Sequence, residues 1–328
     1  MPLLKVQDIV VDFSTRNGVA RVLDHVSLSV LPGRTLGIVG ESGCGKSMTA
    51  LSIMGLVPNP PGKLTSGTII LADEDLTKAD EPRMRKVRGK DISMIFQEPM
   101  TSLNPVFTVG EQVAEALRLH EEGTSQDAWN KAVEMIRAVG IPEPEARAKN
   151  YPHQLSGGMR QRVMIAMALA CGPKLLIADE PTTALDVTVQ AQIFDLLLEL
   201  QSSNNTSIIL ITHDMGVIAQ MCDDVAVMYA GRIIEKGTTE EILSLPRHPY
   251  TRGLIACVPH LEENPSRERL PLMEISGVVP PLTKLGKGCA FAPRCERKKE
   301  RCEREKPLMV TGSESHSVAC FYPLAGAT

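Results

Sequence analysis

The sequence predicts an α/β fold, because short apolar segments alternate along the chain with segments of helical periodicity. The apolar segments lie at residues 36–39, 92–96, 175–178 and 208–211. The helical patterns lie at residues 110–119, 126–139, 160–170 and 187–200. Each apolar segment is almost continuously hydrophobic, which is typical of parallel strands that helices cover on both faces of the sheet.

Two regions depart from this alternation. The opening residues predict an antiparallel β-subdomain, because Val26, Leu28 and Val30 alternate with serines. Residues 98–158 contain several helical patterns and no convincing strand. They therefore predict a helical subdomain that is inserted into the α/β core.

The chain changes character near residue 238. Just before it, the turn Ala230-Gly231 predicts a hairpin that closes the sheet. Beyond it, frequent prolines exclude long helices and strands and indicate loops. The sequence therefore divides into a main domain of residues 1–237 and a loop-rich C-terminal extension of residues 238–328.

Length and composition exclude several classes of protein. The chain has 328 residues, and its hydrophobic content of 43% is typical of a globular protein with a sizeable core. Its net charge is −4 without a long basic segment, so composition does not indicate nucleic-acid binding. Charged residues interrupt the N-terminus, and the longest apolar run is about half of a membrane span. We expect a cytosolic chain without a transmembrane helix.

A glycine-rich loop follows the apolar segment at residues 36–39. Its sequence, Gly40-Glu-Ser-Gly-Cys-Gly-Lys-Ser47, matches the pattern G-x-x-x-x-G-K-[S/T], and a helical pattern follows it. In such a loop the backbone N–H groups face phosphate oxygens, the lysine neutralises phosphate charge, and the serine hydroxyl can ligate Mg²⁺. The sequence therefore predicts ATP binding and hydrolysis. The predicted phosphate-binding residues are Gly40, Ser42, Gly43, Cys44, Gly45, Lys46, Ser47 and Met48.

An acidic pair ends the apolar segment at residues 175–178. Asp179 can hold Mg²⁺ through water, and Glu180 can polarise the water that attacks the phosphate. Acidic residues also favour the N-terminus of a helix, so a simple capping role is the alternative. The phosphate loop upstream favours the catalytic interpretation.

A second glycine-containing motif, Leu155-Ser-Gly-Gly-Met159, lies directly before a helical pattern. Ser156, Gly157 and Gly158 at a helix start would present free N–H groups and a positive dipole to a phosphate. A serine that merely caps the helix is the alternative.

These three motifs, in this order, resemble those of an ATP-binding cassette (ABC) ATPase, a phosphate-loop (P-loop) NTPase in which Leu155 to Met159 is the signature. The signature departs from the commonest form, because Met159 stands where glutamine is usual. The resemblance implies further roles: Gln97 senses Mg²⁺ and the membrane partner, His213 contacts the γ-phosphate, Asp186 lies in the dimer-contact loop Ala184-Leu-Asp186, and Phe13 stacks on adenine.

The resemblance also implies how the site works. Two chains sandwich two ATP molecules, so that the signature of one closes over the phosphates held by the other. Ser47, Gln97 and Asp179 would hold Mg²⁺, and Glu180 would orient water.

Three longer segments narrow the resemblance to the ATPases of dipeptide/oligopeptide and nickel importers. They are residues 97–105, 155–163 and 247–251. The resemblance implies a subunit on the cytoplasmic side of the bacterial inner membrane that drives peptide uptake. Its implied partners are a second ABC ATPase, two membrane permeases and a periplasmic substrate-binding protein, and no nucleic acid. A soluble ABC ATPase of translation or DNA repair and an exporter subunit are the alternatives.

Half of the eight cysteines crowd the last forty residues, at Cys289, Cys295, Cys302 and Cys320. In a reducing cytosol such crowding indicates a metal site before disulfides. Four thiolates suit either a [4Fe–4S] cluster or Zn²⁺, and the spacing matches neither common pattern. The resemblance to importer ATPases implies the iron–sulfur cluster, whereas unliganded thiols are the simplest alternative.

Overall fold

The computed structural model describes residues 1–16, 18–97, 102–182, 186–258, 274–312 and 315–325. They form two units. One, which we call the phosphate-loop unit, comprises Leu4–Ser29, Leu36–Leu71 and Thr212–Thr328. The other, which we call the signature unit, comprises Met1–Leu3, Val30–Thr35 and Ala72–Ile211.

The strands of these described residues are β1 (Leu4–Thr15), β2 (Gly18–Val30), β3 (Thr35–Val39), β4 (Gly62–Leu71), β5 (Glu74–Asp75), β6 (Ile92–Ile95), β7 (Leu175–Asp179), β8 (Ser207–Thr212), β9 (Asp224–Tyr229), β10 (Arg232–Thr238), β11 (Val310–Thr311) and β12 (Ser317–Val318). The helices are α1 (Lys46–Ile53), α2 (Glu81–Val87), α3 (Val109–His120), α4 (Ser125–Ala138), α5 (Pro144–Arg147), α6 (Gly157–Leu169), α7 (Val187–Asn204), α8 (Met215–Met221), α9 (Thr239–Ser244), α10 (Pro249–Ala256) and α11 (Glu300–Arg304).

The phosphate-loop unit contains the predicted antiparallel β-subdomain. Its strands lie in the order β2-β1-β4, and β1 pairs antiparallel with β4. The alternation along β2 is confirmed, because Val26, Leu28 and Val30 are buried and the serines between them are exposed. Strand β4 has no counterpart in the sequence prediction, since its first half is polar and its buried apolar residues, Ile69 and Leu71, lie only at its end.

A second group of strands in this unit follows the order β11-β12-β10-β9-β3. Strands β9 and β10 form the predicted hairpin about Ala230-Gly231, and β3 pairs parallel with β9. An apolar core packs on this group and includes Val39, Val227, Tyr250 and Phe291. Because Tyr250 and Phe291 belong to the C-terminal extension, the extension shares its core with the strands beside the phosphate loop.

The signature unit contains the parallel strands β6, β7 and β8, in adjacent pairs. Every residue of β7 and β8 is buried, as their continuous hydrophobicity predicts. Helices α3, α4 and α6 pack on one another, and described residues 102–156 contain no strand, which confirms the predicted helical insert as far as it is described.

Polar caps set the ends of several helices in this unit. Thr108 accepts a hydrogen bond from the N–H of Glu111 at the start of α3, and Thr124 and Asp127 form a reciprocal capping box at the start of α4. None of the helices among the described residues combines the length and the hydrophobicity that a membrane span requires. The longest helix of the described residues, α7, has 18 residues, and Asn205, which follows its last residue, takes the left-handed conformation.

Candidate functional site

The phosphate loop lies between β3 and α1, as the sequence predicts. A Cβ at Gly40 would collide with the carbonyl oxygen of Met228, so only glycine fits this close approach. Gly45 takes φ of 108° directly before α1, a conformation that favours glycine. The N–H of Gly231, in the hairpin turn, donates to the carbonyl oxygen of Cys44 at 2.8 Å. The loop is therefore shaped by its glycines and held by the hairpin.

Lys46 is the first residue of α1, and its side chain folds back over the loop. Its Nζ donates to the carbonyl oxygens of Gly40 at 2.7 Å and Glu41 at 3.1 Å, and the residue is only 6% exposed. The cation is thus held where backbone N–H groups at the start of a helix also attract anions. Ser47 and Met48, in the same first turn, are half-buried.

The signature unit carries the predicted catalytic acid pair. Asp179 is the last residue of β7 and is 3% exposed. Glu180 takes φ of 47°, which turns the chain away from the strand, and its N–H donates to the carbonyl oxygen of Ile211 at 2.9 Å. The Nε2 of Gln97 donates to the Oε2 of Glu180 at 3.0 Å. The structure therefore brings together two of the three predicted catalytic residues, and this contact orients the carboxylate.

The predicted signature residues form the start of α6. Ser156 is the N-cap and accepts a hydrogen bond from the N–H of Met159, so the capping role is realised. Ser156 and Gly157 are exposed, and a Cβ at Gly157 would meet no atom within 4 Å. A Cβ at Gly158 would lie 3.1 Å from Cγ1 of Val189. The helix N-terminus therefore presents an open glycine surface in addition to its cap.

The remaining predicted residues occupy separate positions. His213 directly follows β8 and is exposed. Asp186 caps α7, because its side chain accepts a hydrogen bond from the N–H of Val189 at 2.9 Å. Phe13 is half-buried on β1, with its ring against Gly62. Ala184 and Leu185, the other residues of the predicted dimer-contact loop, lie outside the described residues. The nucleotide contacts of all these residues stay predictions.

The four cysteines of the extension line one cavity in the phosphate-loop unit, together with Phe291. Cys289 donates its N–H to the carbonyl oxygen of Cys302 at 2.7 Å, which ties two of the four cysteine positions together. Burial raises the pKa of the Cys320 thiol to about 11 and also raises the pKa of the Cys289 and Cys295 thiols. Burial therefore favours neutral thiols unless a bound group stabilises the thiolates.

Four thiolates suit both of the predicted metal groups. Within the described parts of the chain, no three or more His, Cys, Asp or Glu side chains are arranged to hold a metal ion. The metal group at these four cysteines therefore stays a prediction.

One feature of the phosphate loop has no counterpart in the sequence prediction. The carboxylate of Glu41 accepts from Nη1 and Nη2 of Arg294 at 2.6 and 2.9 Å, and the N–H of Glu41 donates to the hydroxyl of Tyr250 at 2.9 Å. Tyr250 lies in residues 247–251, one of the three segments that resemble importer ATPases. No sequence signal marks Arg294, which lies 253 positions from its partner.

Comparison with known proteins agrees with this geometry. Residues 23–183 match the ABC transporter family, and residues 234–302 match the family described as the C-terminal region of oligopeptide/dipeptide transporters. The chain is 50% identical over 319 residues to the dipeptide transport ATP-binding protein DppD of Bacillus subtilis, covering 97% of this chain and 94% of that protein. It is 51% identical over 316 residues to the oligopeptide transport ATP-binding protein OppD of the same organism, covering 96% of this chain and 87% of that protein.

Solved structures give the same fold. A dimeric, post-hydrolysis structure of the ATP-binding cassette MJ0796 bound to ADP and Pi matches 72% of this chain and 98% of that chain, with a TM-score of 0.65 and 27% identity. The cbiO1 protein of Clostridium perfringens, part of the ABC transporter complex cbiONQ, matches 74% of this chain and 90% of that chain, with a TM-score of 0.62 and 28% identity. These matches confirm the predicted P-loop NTPase core, and the relatives favour the importer family over translation, repair and export ATPases. The chain belongs to the ATP-binding proteins of the oligopeptide/dipeptide ABC transporters.

Proposed function

We propose that this chain is the ATP-hydrolysing subunit of a bacterial ABC importer that drives the uptake of dipeptides or oligopeptides across the inner membrane. One observation carries the proposal. The similarity to dipeptide and oligopeptide transport ATP-binding proteins covers 96% or more of the chain and includes the C-terminal region of those transporters.

ATP binding rests on the phosphate loop. Lys46 would exchange the carbonyl oxygens of Gly40 and Glu41 for phosphate oxygens, which carry more negative charge and form stronger hydrogen bonds. The other predicted loop residues supply N–H groups to the same phosphates. Mg²⁺, when bound, neutralises charge on the β- and γ-phosphates, and its proposed ligands are Ser47, Gln97 and Asp179.

Hydrolysis rests on Glu180. A carboxylate that accepts a hydrogen bond from a neighbouring amide is held in one orientation, which favours in-line positioning of the attacking water. Gln97 supplies that amide at 3.0 Å. We assign His213 to the γ-phosphate and Phe13 to the adenine ring on the family pattern.

The proposed working assembly contains two ATPase chains. The open surface at Gly157 suits a helix N-terminus that closes over phosphates held by another chain. The cassette MJ0796, which this fold resembles, is dimeric in its structure with ADP and Pi. We propose a second, related ATPase as that partner, with two permeases and a periplasmic binding protein, on the cytoplasmic side of the membrane. We retain residues 1–237 and 238–328 as the proposed nucleotide-binding domain and extension.

The proposed second cofactor is a [4Fe–4S] cluster on Cys289, Cys295, Cys302 and Cys320. The four cysteines line one cavity, and the resemblance to importer ATPases favours the cluster over Zn²⁺. Protein purified without oxygen should contain about four iron atoms and four labile sulfides per chain and absorb visible light. Zinc alone at about one atom per chain would instead support the alternative.

Uptake of a labelled dipeptide and a labelled pentapeptide tests the main proposal. Cells that lack this chain should lose uptake of at least one peptide and regain it with the wild-type chain but not with Glu180→Gln. Membranes from the same cells should yield permeases and a peptide-binding protein with the tagged chain. Unchanged uptake of both peptides, or copurification with ribosomes only, would contradict the proposal.

A further inference from the structure

We propose that Arg294 and Tyr250 of the C-terminal extension are positioning residues for the phosphate loop, so that the affinity of this chain for ATP depends on the extension. The inference rests on the proposed function of that loop. It concerns groups within the phosphate-loop unit alone.

Glu41 is the point at which the extension holds the loop. Its carboxylate accepts hydrogen bonds from both terminal nitrogens of Arg294, and its N–H donates a hydrogen bond to the hydroxyl of Tyr250. Its carbonyl oxygen accepts from Nζ of Lys46 at 3.1 Å. One residue therefore connects two side chains of the extension to the lysine that we assign to the phosphates.

The contacts of Arg294 fix its guanidinium in one position. Besides the bidentate pair with Glu41, its Nη2 donates to the carbonyl oxygen of Ile275 and its Nε to that of Ser276, both at 2.9 Å. Its Nη1 also lies 3.4 Å from the hydroxyl of Tyr229. The side chain is 3% exposed. A buried guanidinium engaged at all three nitrogens is a rigid donor, and its bidentate geometry cannot be reproduced by lysine.

Aromatic packing holds the second contact. The rings of Tyr229, Tyr250 and Phe291 meet edge to face, with centroids 4.7 to 5.4 Å apart. Tyr229 and Tyr250 are at most 1% exposed. The N–H of Arg294 donates to the carbonyl oxygen of Phe291 at 3.0 Å, so the same cluster positions both side chains that reach Glu41.

Charge gives this contact a role beyond packing. Glu41 places a carboxylate within the loop that we assign to the phosphates of ATP. Like charges repel each other most strongly where water is excluded and the dielectric constant is low. The ion pair with Arg294 neutralises that carboxylate and keeps it directed toward the extension. Loss of Arg294 should therefore weaken ATP binding mainly through Glu41, and removal of the Glu41 charge should relieve the effect.

The test measures binding of the fluorescent nucleotide mant-ATP with Mg²⁺ to the full-length chain. The variants are Arg294→Gln, Glu41→Gln, the double variant and Tyr250→Phe. Arg252→Gln, an exposed arginine of the same extension, is the matched control. The ATPase activity of the assembled transporter supplies KM and kcat for the same variants.

We expect Arg294→Gln to raise the Kd about tenfold, the scale of a charged hydrogen bond. The double variant, which removes both charges, should bind more tightly than Arg294→Gln and stay within about threefold of the wild type. Tyr250→Phe, which keeps the ring packing, should raise the Kd about threefold to fivefold. In the transporter, Arg294→Gln should raise the KM for ATP and leave kcat within about twofold, and the control should change nothing.

An unchanged Kd for Arg294→Gln would overturn the inference, as would a double variant that binds as weakly as Arg294→Gln alone. If Arg294→Gln does not fold, as judged by loss of its cooperative melting transition, Tyr250→Phe decides the question, and an unchanged Kd there overturns the inference. A wild-type chain that binds no mant-ATP would overturn the proposed function itself. Normal wild-type binding with unaffected variants overturns only the role of the extension.

Discussion

Gly157→Ala separates the function of the signature from its contribution to folding. Within this chain the new methyl group would meet no atom within 4 Å, and Gly157 is the first residue of α6. Alanine in a helix is more favourable than glycine by up to about 1 kcal/mol, and by less in the first turn. We therefore expect the free energy of unfolding to stay the same or to rise by about 0.5 kcal/mol.

The same substitution should impair ATP hydrolysis. In the proposed sandwich, the methyl group would stand between the N-terminus of α6 and the phosphates held by the other ATPase, where a displacement of about 1 Å costs on the order of a hundredfold in rate. We expect kcat of the assembled transporter to fall about a hundredfold, while mant-ATP binding to the isolated chain stays unchanged.

The assays are thermal melting, mant-ATP titration and phosphate release by the transporter. Gly158→Ala is the matched comparison, because its methyl group would press on Val189 at 3.1 Å and should lower the melting temperature as well. Normal phosphate release by Gly157→Ala would refute the assignment of this surface to a second nucleotide. A lower melting temperature for Gly157→Ala would refute the reasoning from open space.

Three further predictions follow from the contacts of named side chains. Glu180→Gln should lower kcat by about a hundredfold or more while ATP still binds, as single-turnover and binding measurements can show; normal phosphate release would exclude Glu180 as the base. Gln97→Ala removes the 3.0 Å hydrogen bond that orients Glu180, so kcat should fall about tenfold, and an unaffected rate would mean that this contact is not used in hydrolysis. Glu235 is fully buried and accepts hydrogen bonds from the N–H groups of Arg247 and His248 and from His316. Glu235→Ala should therefore lower the free energy of unfolding by about 3 kcal/mol, as measured by chemical denaturation. A loss below about 1 kcal/mol would show that the site relaxes.

The sequence alone determined the parts of this protein that depend on neighbouring residues. Continuous hydrophobicity identified β7 and β8, and a two-residue turn identified the hairpin of β9 and β10, because burial and turn geometry act over a few positions. The phosphate loop and the signature are likewise contiguous motifs, so the residue types and their spacing suffice to locate each of them.

The tertiary structure alone decided which distant side chains meet. Gln97 and Glu180 are 83 positions apart, and Glu41 and Arg294 are 253 apart, yet each pair forms a direct hydrogen bond. No local pattern records such pairs, because a polar contact depends on where packing places two separate segments and not on the residues beside either one. The sequence could thus assign a phosphate loop to this chain. Only the packing of the C-terminal extension against the strands beside that loop brought Arg294 to Glu41.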